Sequence, residues 1–385
     1  MINYIIILPV NRIIRNPLEI ANDLCKNKSI RNKIFCSCSR CRVKNEILSA
    51  KYKKPLEGDK SPKIPKKETP AETIHDFRLE DMGEEIEYLK AEDYRPKVLI
   101  TGAKGQLGYN LCEILSKDYN IIPTDIEELD ITNPDDVVSN FTLHEPDIVI
   151  HAAAFTDVDG CESAQEMAFR VNAMGTQNVA LACQEFHSRM VYVSTDYVFD
   201  GSLKKPLREY HQPCPINVYG ESKLLGEQLV QHLVMRHFIV RTSWLFGVNG
   251  QNFPKTMLRL ASEKKEIGVV DDQWGRPTFS RDLAFAIAHL INSPFYGIYH
   301  VSNTGETSWF GFAKKIIELA GLNCDIKPIT TSEFPRPAKR PSWSVLDDFV
   351  WRVRGFPPLR PWEEALREFL EDPWITAEFP FLSRE

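Results

Sequence analysis

Val98-Leu99-Ile100-Thr101-Gly102-Ala103-Lys104-Gly105-Gln106-Leu107-Gly108 carries an apolar strand-like run straight into Gly-x-x-Gly-x-x-Gly and on into a helix-like stretch from Leu107 to Ser116. Glycines in such a turn let the backbone bend tightly and approach a pyrophosphate. The amino end of the helix, beginning near Gln106, offers free N–H groups to the anion. The strand-turn-helix context gives the three glycines Gly102, Gly105 and Gly108 their meaning. Twenty residues after Gly105, Asp125 closes a second strand, Ile121-Ile122, where an acid holds the ribose hydroxyls of a dinucleotide and disfavours a 2′-phosphate. Lys104 pulls the other way, being placed to attract such a phosphate.

Outward from the turn, short β-rich runs alternate with helical ones. A helix near Pro134 to Thr142 is followed by Ile148-Val149-Ile150, a helix from Ala164 to Phe186, and Met190-Val191-Tyr192-Val193. This spacing marks βαβ units and a parallel sheet. The fold class is therefore α/β: a Rossmann-type doubly wound parallel sheet with a smaller C-terminal substrate-binding lobe, preceded by a poorly ordered N-terminal extension. A helix from Arg281 to Ile291, a strand at Ile298 to Val301 and a helix from Trp309 to Ala320 are expected to cap the carboxyl edge of the sheet. The third strand ends in His151-Ala152-Ala153-Ala154, small residues that let a ribose lie against the strand end. The division expected is an extension at 1–95, the catalytic domain at 96–371 and a tail at 372–385.

Composition narrows the class. The 385 residues are 43% hydrophobic and 26% charged with a net charge of -6, an ordinary globular balance that gives no reason to expect a nucleic-acid partner. The opening apolar run from Tyr4 to Val10 lacks a basic lead and falls far short of the ~18 residues that span a bilayer, so a cytoplasmic protein with no membrane partner is expected. Of nine cysteines, Cys112, Cys161, Cys183, Cys214 and Cys324 are scattered through the catalytic domain, which fits a reduced state. The extension holds the other four, Cys25, Cys36, Cys38 and Cys41. It continues through a lysine- and proline-rich linker from Lys51 to Lys67 and an acidic stretch from Glu80 to Asp93. Structural zinc sites usually pair two Cys-x-x-Cys knuckles, and Cys36-x-Cys38-x-x-Cys41 is irregular, so no metal is expected.

Tyr219-Gly220-Glu221-Ser222-Lys223 opens a helical segment, and residues four apart share one helix face. A tyrosine titrates near ~10, and a neighbouring ammonium stabilises its phenolate and lowers that value. Hydride addition to a ketone leaves an alkoxide that needs such a donor. Upstream, Met190 to Val193 runs into Ser194 and Thr195, and Thr195 is placed to hydrogen-bond the same substrate oxygen, with Ser194 as the alternative. The expected triad is Thr195, Tyr219 and Lys223.

With these residues assembled, Val98 to about Leu370 resembles the extended short-chain dehydrogenase/reductases and, within them, the dTDP-4-dehydrorhamnose reductase family. The resemblance is carried in order by Thr101 to Gly108, Leu129 to Thr132, His151 to Thr156 with Val158-Asp159, Val171-Asn172, and Ser194 to Gly201. Asn217 to Lys223, Arg241 to Gly247, Asp272 to Thr278 and Arg340 to Asp347 continue it. It implies reduction of the C4 ketone of dTDP-4-dehydro-L-rhamnose, with NADPH or NADH as cofactor, by a monomer or homodimer. It further implies cofactor contacts at Gly105, Gln106, Leu107, Asp130, Ile131, Ala153, Ala154, Tyr219 and Lys223, and substrate contacts at Thr195, Asp196 and Trp244. Trp244 by itself reads as a core aromatic. A related dehydratase would carry an Asp-Glu pair after the threonine, and here Tyr197 follows Asp196. An epimerase, another 4-keto-6-deoxysugar reductase and a non-catalytic NADP-binding subunit, resembling that of methionine adenosyltransferase, are the remaining readings. The extension has no counterpart in the family.

Overall fold

The computed structural model describes residues 94–383. The expectations for residues 1–93, the Cys25, Cys36, Cys38 and Cys41 group among them, lie outside the described residues. The chain runs β1 (Lys97–Thr101), α1 (Gln106–Leu115), β2 (Asn120–Thr124), α2 (Pro134–His144), β3 (Ile148–His151), α3 (Val158–Ser163) and α4 (Gln165–Phe169). A π-helical turn (Arg170–Gly175) leads into α5 (Thr176–Glu185), β4 (Arg189–Thr195), α6 (Val218–Leu233) and β5 (His237–Thr242). Then follow β6 (Leu245–Phe246), α7 (Phe253–Glu263), β7 (Glu266–Val270), β8 (Trp274–Gly275), β9 (Thr278–Phe279), α8 (Ser280–Leu290) and β10 (Gly297–His300). The last are β11 (Thr307–Ser308), α9 (Trp309–Ala320), β12 (Asp325–Ile329), α10 (Phe349–Val353), α11 (Trp362–Glu371) and α12 (Pro373–Glu378).

Six strands form one parallel sheet in the order β10-β5-β4-β3-β1-β2. Both faces are covered by helices, which is why the strands read as unbroken apolar runs rather than alternating ones. The period of two still sorts the faces. Val98, Ile100, Ile148, Ile150, Val191 and Val240 pack under α1 and α8. Leu99, Val149, Tyr192 and Ile239 pack under α2, α5 and α6. Because β2 and β3 flank β1, the strand order reverses there, and the crevice beyond those carboxyl ends is where open α/β sheets take ligands.

Two sequence expectations are corrected. The strand expected to cap the sheet after Arg281 is its edge strand, and the helix before it covers a face: β10 pairs in parallel with β5, His300 opposite Arg241, and α8 lies on α1 through Leu283, Ile287 and Leu290. Pairing there covers the outer N–H and C=O row that β5 would otherwise leave open. The single helix expected from Ala164 to Phe186 is divided by the π-turn. Inside that turn the Asn172 side chain accepts from Phe155 N and donates to Phe155 O and Ser222 Oγ, pulling one residue out of the α-helical ladder.

The smaller lobe gathers β6 with β9, β7 with β12 and β8 with β11. Phe246, Phe279, Phe312 and Phe369 form its centre, with α7, α9 and α11 around them. Residues 372–383, taken from the sequence as part of a tail, stay in this lobe, where α12 buries Ile375. No helix among the described residues is long and apolar enough to cross a membrane.

Candidate active site

A cleft of about 950 Å³ opens at the carboxyl ends of β1, β3, β4 and β5. At one end lies the glycine turn. Gly102 sits at φ +70, and a Cβ there would stand 2.8 Å from Ala153 N, so strand end and turn approach as only glycine allows. Gly108 is equally constrained, because a Cβ would lie 2.1 Å from Gly102 O. The amino end of α1 has no side-chain cap, which leaves its first N–H groups facing the cleft. Gly102, Gly105, Gln106, Leu107, Gly108, Asp125, Asp130, Ile131, Ala152, Ala153 and Ala154 all line this space. Asp125 is held in place by Lys104 N at 3.0 Å and Ile126 N at 2.9 Å. Asp130 Oδ1 accepts from Thr132 N and Oγ1. Lys104 is not a free cation: its Nζ lies 2.7 Å from Glu127 and 3.1 Å from Glu128. Both pairs are exposed and worth little, so a phosphate could compete for the ammonium.

At the other end the cleft is lined by Thr195, Asp196, Tyr219, Lys223 and Trp244. Asn217 caps α6 by accepting from Gly220 N, and a Cβ at Gly220 would meet Tyr197 O at 2.2 Å. That close approach presses Tyr219 against the turn after β4, where its ring meets Tyr197 edge-on at 6.0 Å. Ser194 is committed elsewhere, its Oγ donating to Glu227 Oε1 at 2.5 Å. Both residues line the cleft; the Thr195 hydroxyl donates to Asp196 Oδ1 at 3.1 Å and accepts from Tyr197 N.

Burial dominates the electrostatics. It pushes the Tyr219 phenol well above its ordinary value, helped by the nearby Asp196 charge and offset by the Thr195 hydroxyl. It also pushes Lys223 down to about 7, with Glu227 pulling the other way. The expectation that the lysine lowers the tyrosine pKa is therefore corrected: burial is the largest influence on the phenol and raises it, so the phenol stays protonated at neutral pH. Burial likewise raises Asp196 to about 7, and among the described residues its Oδ2 has no hydrogen-bond partner.

Trp244 occupies the left-handed region at φ +47, a costly conformation for a bulky residue, and its indole stacks on Trp309 at 3.6 Å. Sequence reasoning missed Trp309, and with it Phe155, Met167, Thr242 and Gln251, which also line the cleft. Trp309 opens α9 of the lobe, far from Trp244 in sequence, so no local signal marks it. Among the described residues no group of three or more His, Cys, Asp or Glu side chains could hold a metal ion.

A dinucleotide-type turn on a doubly wound sheet, with a Tyr-x-x-x-Lys helix facing the same cleft, defines an extended short-chain dehydrogenase/reductase. The chain belongs to the RmlD substrate binding domain family, which it matches over residues 96–374. It is 43% identical to the spore coat polysaccharide biosynthesis protein SpsK of Bacillus subtilis, over 72% of this chain and 97% of that protein. It is 40% identical to a dTDP-4-dehydrorhamnose reductase of Streptomyces griseus, over 71% of this chain and 93% of that one. Among solved structures, a dTDP-4-dehydrorhamnose reductase of Bacillus anthracis in complex with NADP superposes with a TM-score of 0.71 at 47% identity, covering 72% of this chain and 99% of that one.

Proposed function

We propose that this protein reduces the C4 ketone of dTDP-4-dehydro-L-rhamnose to give dTDP-L-rhamnose. The observation that carries the reading is the convergence of Thr195, Tyr219 and Lys223 on the cleft that the glycine turn opens, in a family whose relatives carry this reductase name. The glycine close approaches, the uncapped amino end of α1 and Asp125 fit a nicotinamide dinucleotide. Held by Gly102 to Gly108, Asp125, Asp130, Ile131 and Ala152 to Ala154, NADPH or NADH supplies the hydride. Tyr219 then gives its proton to the developing alkoxide, a far stronger base than a phenolate. Thr195 donates a hydrogen bond to the same oxygen, and Lys223 steadies the phenolate left behind and the ribose hydroxyls. Asp196, with one carboxyl oxygen unpartnered among the described residues, lines the cleft with Trp244, and the two are assigned to the sugar. The five described cysteines are all free thiols, which suits a cytoplasmic enzyme, and we read it as a monomer or homodimer.

Consumption of NADPH on adding dTDP-4-dehydro-L-rhamnose, with dTDP-L-rhamnose as product, tests the reading; no consumption overturns it. Lys223→Ala is expected to lower kcat and weaken dinucleotide binding together, each by about 10- to 100-fold, the worth of a charge-assisted hydrogen bond. A binding titration showing unchanged cofactor affinity would remove the second of those roles. With Asp125 and Lys104 opposed, kcat/KM for NADPH and NADH should differ by less than about a hundredfold, or ~2.7 kcal/mol. A larger ratio would mean that one of the two residues dominates.

A further inference from the structure

Lys223 is 3% exposed, and among the described residues its Nζ makes no hydrogen bond and no ion pair. What faces it is an aromatic ring: Nζ lies 4.1 Å from the ring centroid of Tyr192. Tyr192 sits on β4, three residues before Thr195, and is fully buried. Its hydroxyl donates to Lys223 O at 3.2 Å, on α6, and lies 3.4 Å from Asn172 O in the π-turn. Gly226 makes room for it, since a Cβ at that position would stand 2.3 Å from the Tyr192 hydroxyl. One side chain thus touches the ammonium, the backbone of the helix that carries it, and the turn beside it.

We propose that Tyr192 is a positioning residue for Lys223: its ring face holds the buried ammonium and its hydroxyl fixes the helix at the Lys223 carbonyl. The proposal rests on the role given to Lys223 above. A cation over an aromatic face is stabilised most where water is excluded, as it is here. The other groups around Lys223 do not replace the ring. Glu227, one turn along the same helix, is bonded to Arg241 and Ser194. His151 on β3 is pushed down to about 3 by burial, with the Lys223 charge adding to the effect, and so stays neutral. Tyr219 is protonated, and Asp196 at the end of β4 is bonded to Thr195.

The test is the titration midpoint of Lys223, followed by NMR of lysines carrying a carbon-13 label at Cε, in the full chain without substrate. The resonance is identified by its loss in Lys223→Arg. At position 192, phenylalanine and then phenylalanines bearing one, two and three ring fluorines keep the shape while draining negative charge from the ring face. Tyr192→Phe is expected to leave the midpoint close to that of the parent. Successive fluorines should lower it stepwise, by about one pH unit in all. The ring favours the charged form, so weakening it lowers the midpoint, and the alkaline limb of kcat/KM should move down with it. Tyr192→Leu, where it folds, should match the most fluorinated ring. A midpoint that stays put through the series while thermal stability changes would reduce Tyr192 to a packing residue and overturn the proposal. Since the titration needs no ketone, a failure of the proposed reduction would leave its result intact.

Discussion

Tyr219→Phe is expected to lower kcat for ketone reduction by about 10²- to 10⁴-fold, the usual worth of a positioned general acid, while leaving the dissociation constant for NADPH nearly unchanged. Only the hydroxyl is removed. The ring can keep its edge contact with Tyr197 and its packing against the cluster of Cys161, Ala168 and Val218. Because burial raises the phenol pKa, the group lost at neutral pH is a proton donor, not a phenolate base. The deficit should therefore persist across the neutral range instead of appearing on one side of a titration. Single-turnover measurement of hydride transfer, beside a binding titration with NADPH, separates the two effects. Turnover close to that of the parent would take Tyr219 out of the mechanism.

The parts of this molecule legible in its sequence are those whose causes are local. The Gly102 to Gly108 turn is written in one short segment, because Gly105 and Gly108 answer close approaches to Gly102 itself and the positive φ of Gly102 belongs to the turn, although the Ala153 backbone that also crowds Gly102 comes from two βα units away. Tyr219 and Lys223 are legible for the same reason, since helical spacing alone puts them on one face. What stayed hidden depends on partners far apart in sequence. β10 reads as a cap until its pairing with β5 is seen, and Trp309 reads as the start of an ordinary lobe helix until it stacks on Trp244. The electrostatic expectation failed on magnitude: the Tyr-Lys spacing suggests that charge proximity sets the tyrosine pKa, whereas tertiary burial decides it. Glu227 is the clearest case. On sequence it is one more acid on a helix that also carries Glu221, yet it is fully buried.

Glu227→Ala should cost about 3 to 5 kcal/mol of unfolding free energy, because it strands a buried charge. Glu227 is 0% exposed and Arg241 2%. The carboxylate takes Arg241 Nε at 2.9 Å on Oε1 and Nη2 at 2.6 Å on Oε2, a two-pronged pair that fixes α6 to β5. Without it the guanidinium has, among the described residues, only the His300 ring nitrogen at 3.4 Å and the Phe199 ring at 5.2 Å, and burial keeps that histidine uncharged. Neither neutralises a cation. A large apolar replacement of both partners, Glu227→Leu with Arg241→Met, should be much less harmful than Glu227→Ala alone, since it removes the charge along with its counter-charge. Urea unfolding of the parent, the single variant and the double variant measures both quantities. A single-variant loss under about 1 kcal/mol, the range of exposed pairs, would show that water reaches Arg241 and that the pair is not the internal tie described. A loss of several kcal/mol should come with slower turnover. Ser194 would lose the acceptor that holds its hydroxyl, and Thr195, the next residue, would lose the anchored strand end that holds it at the cleft.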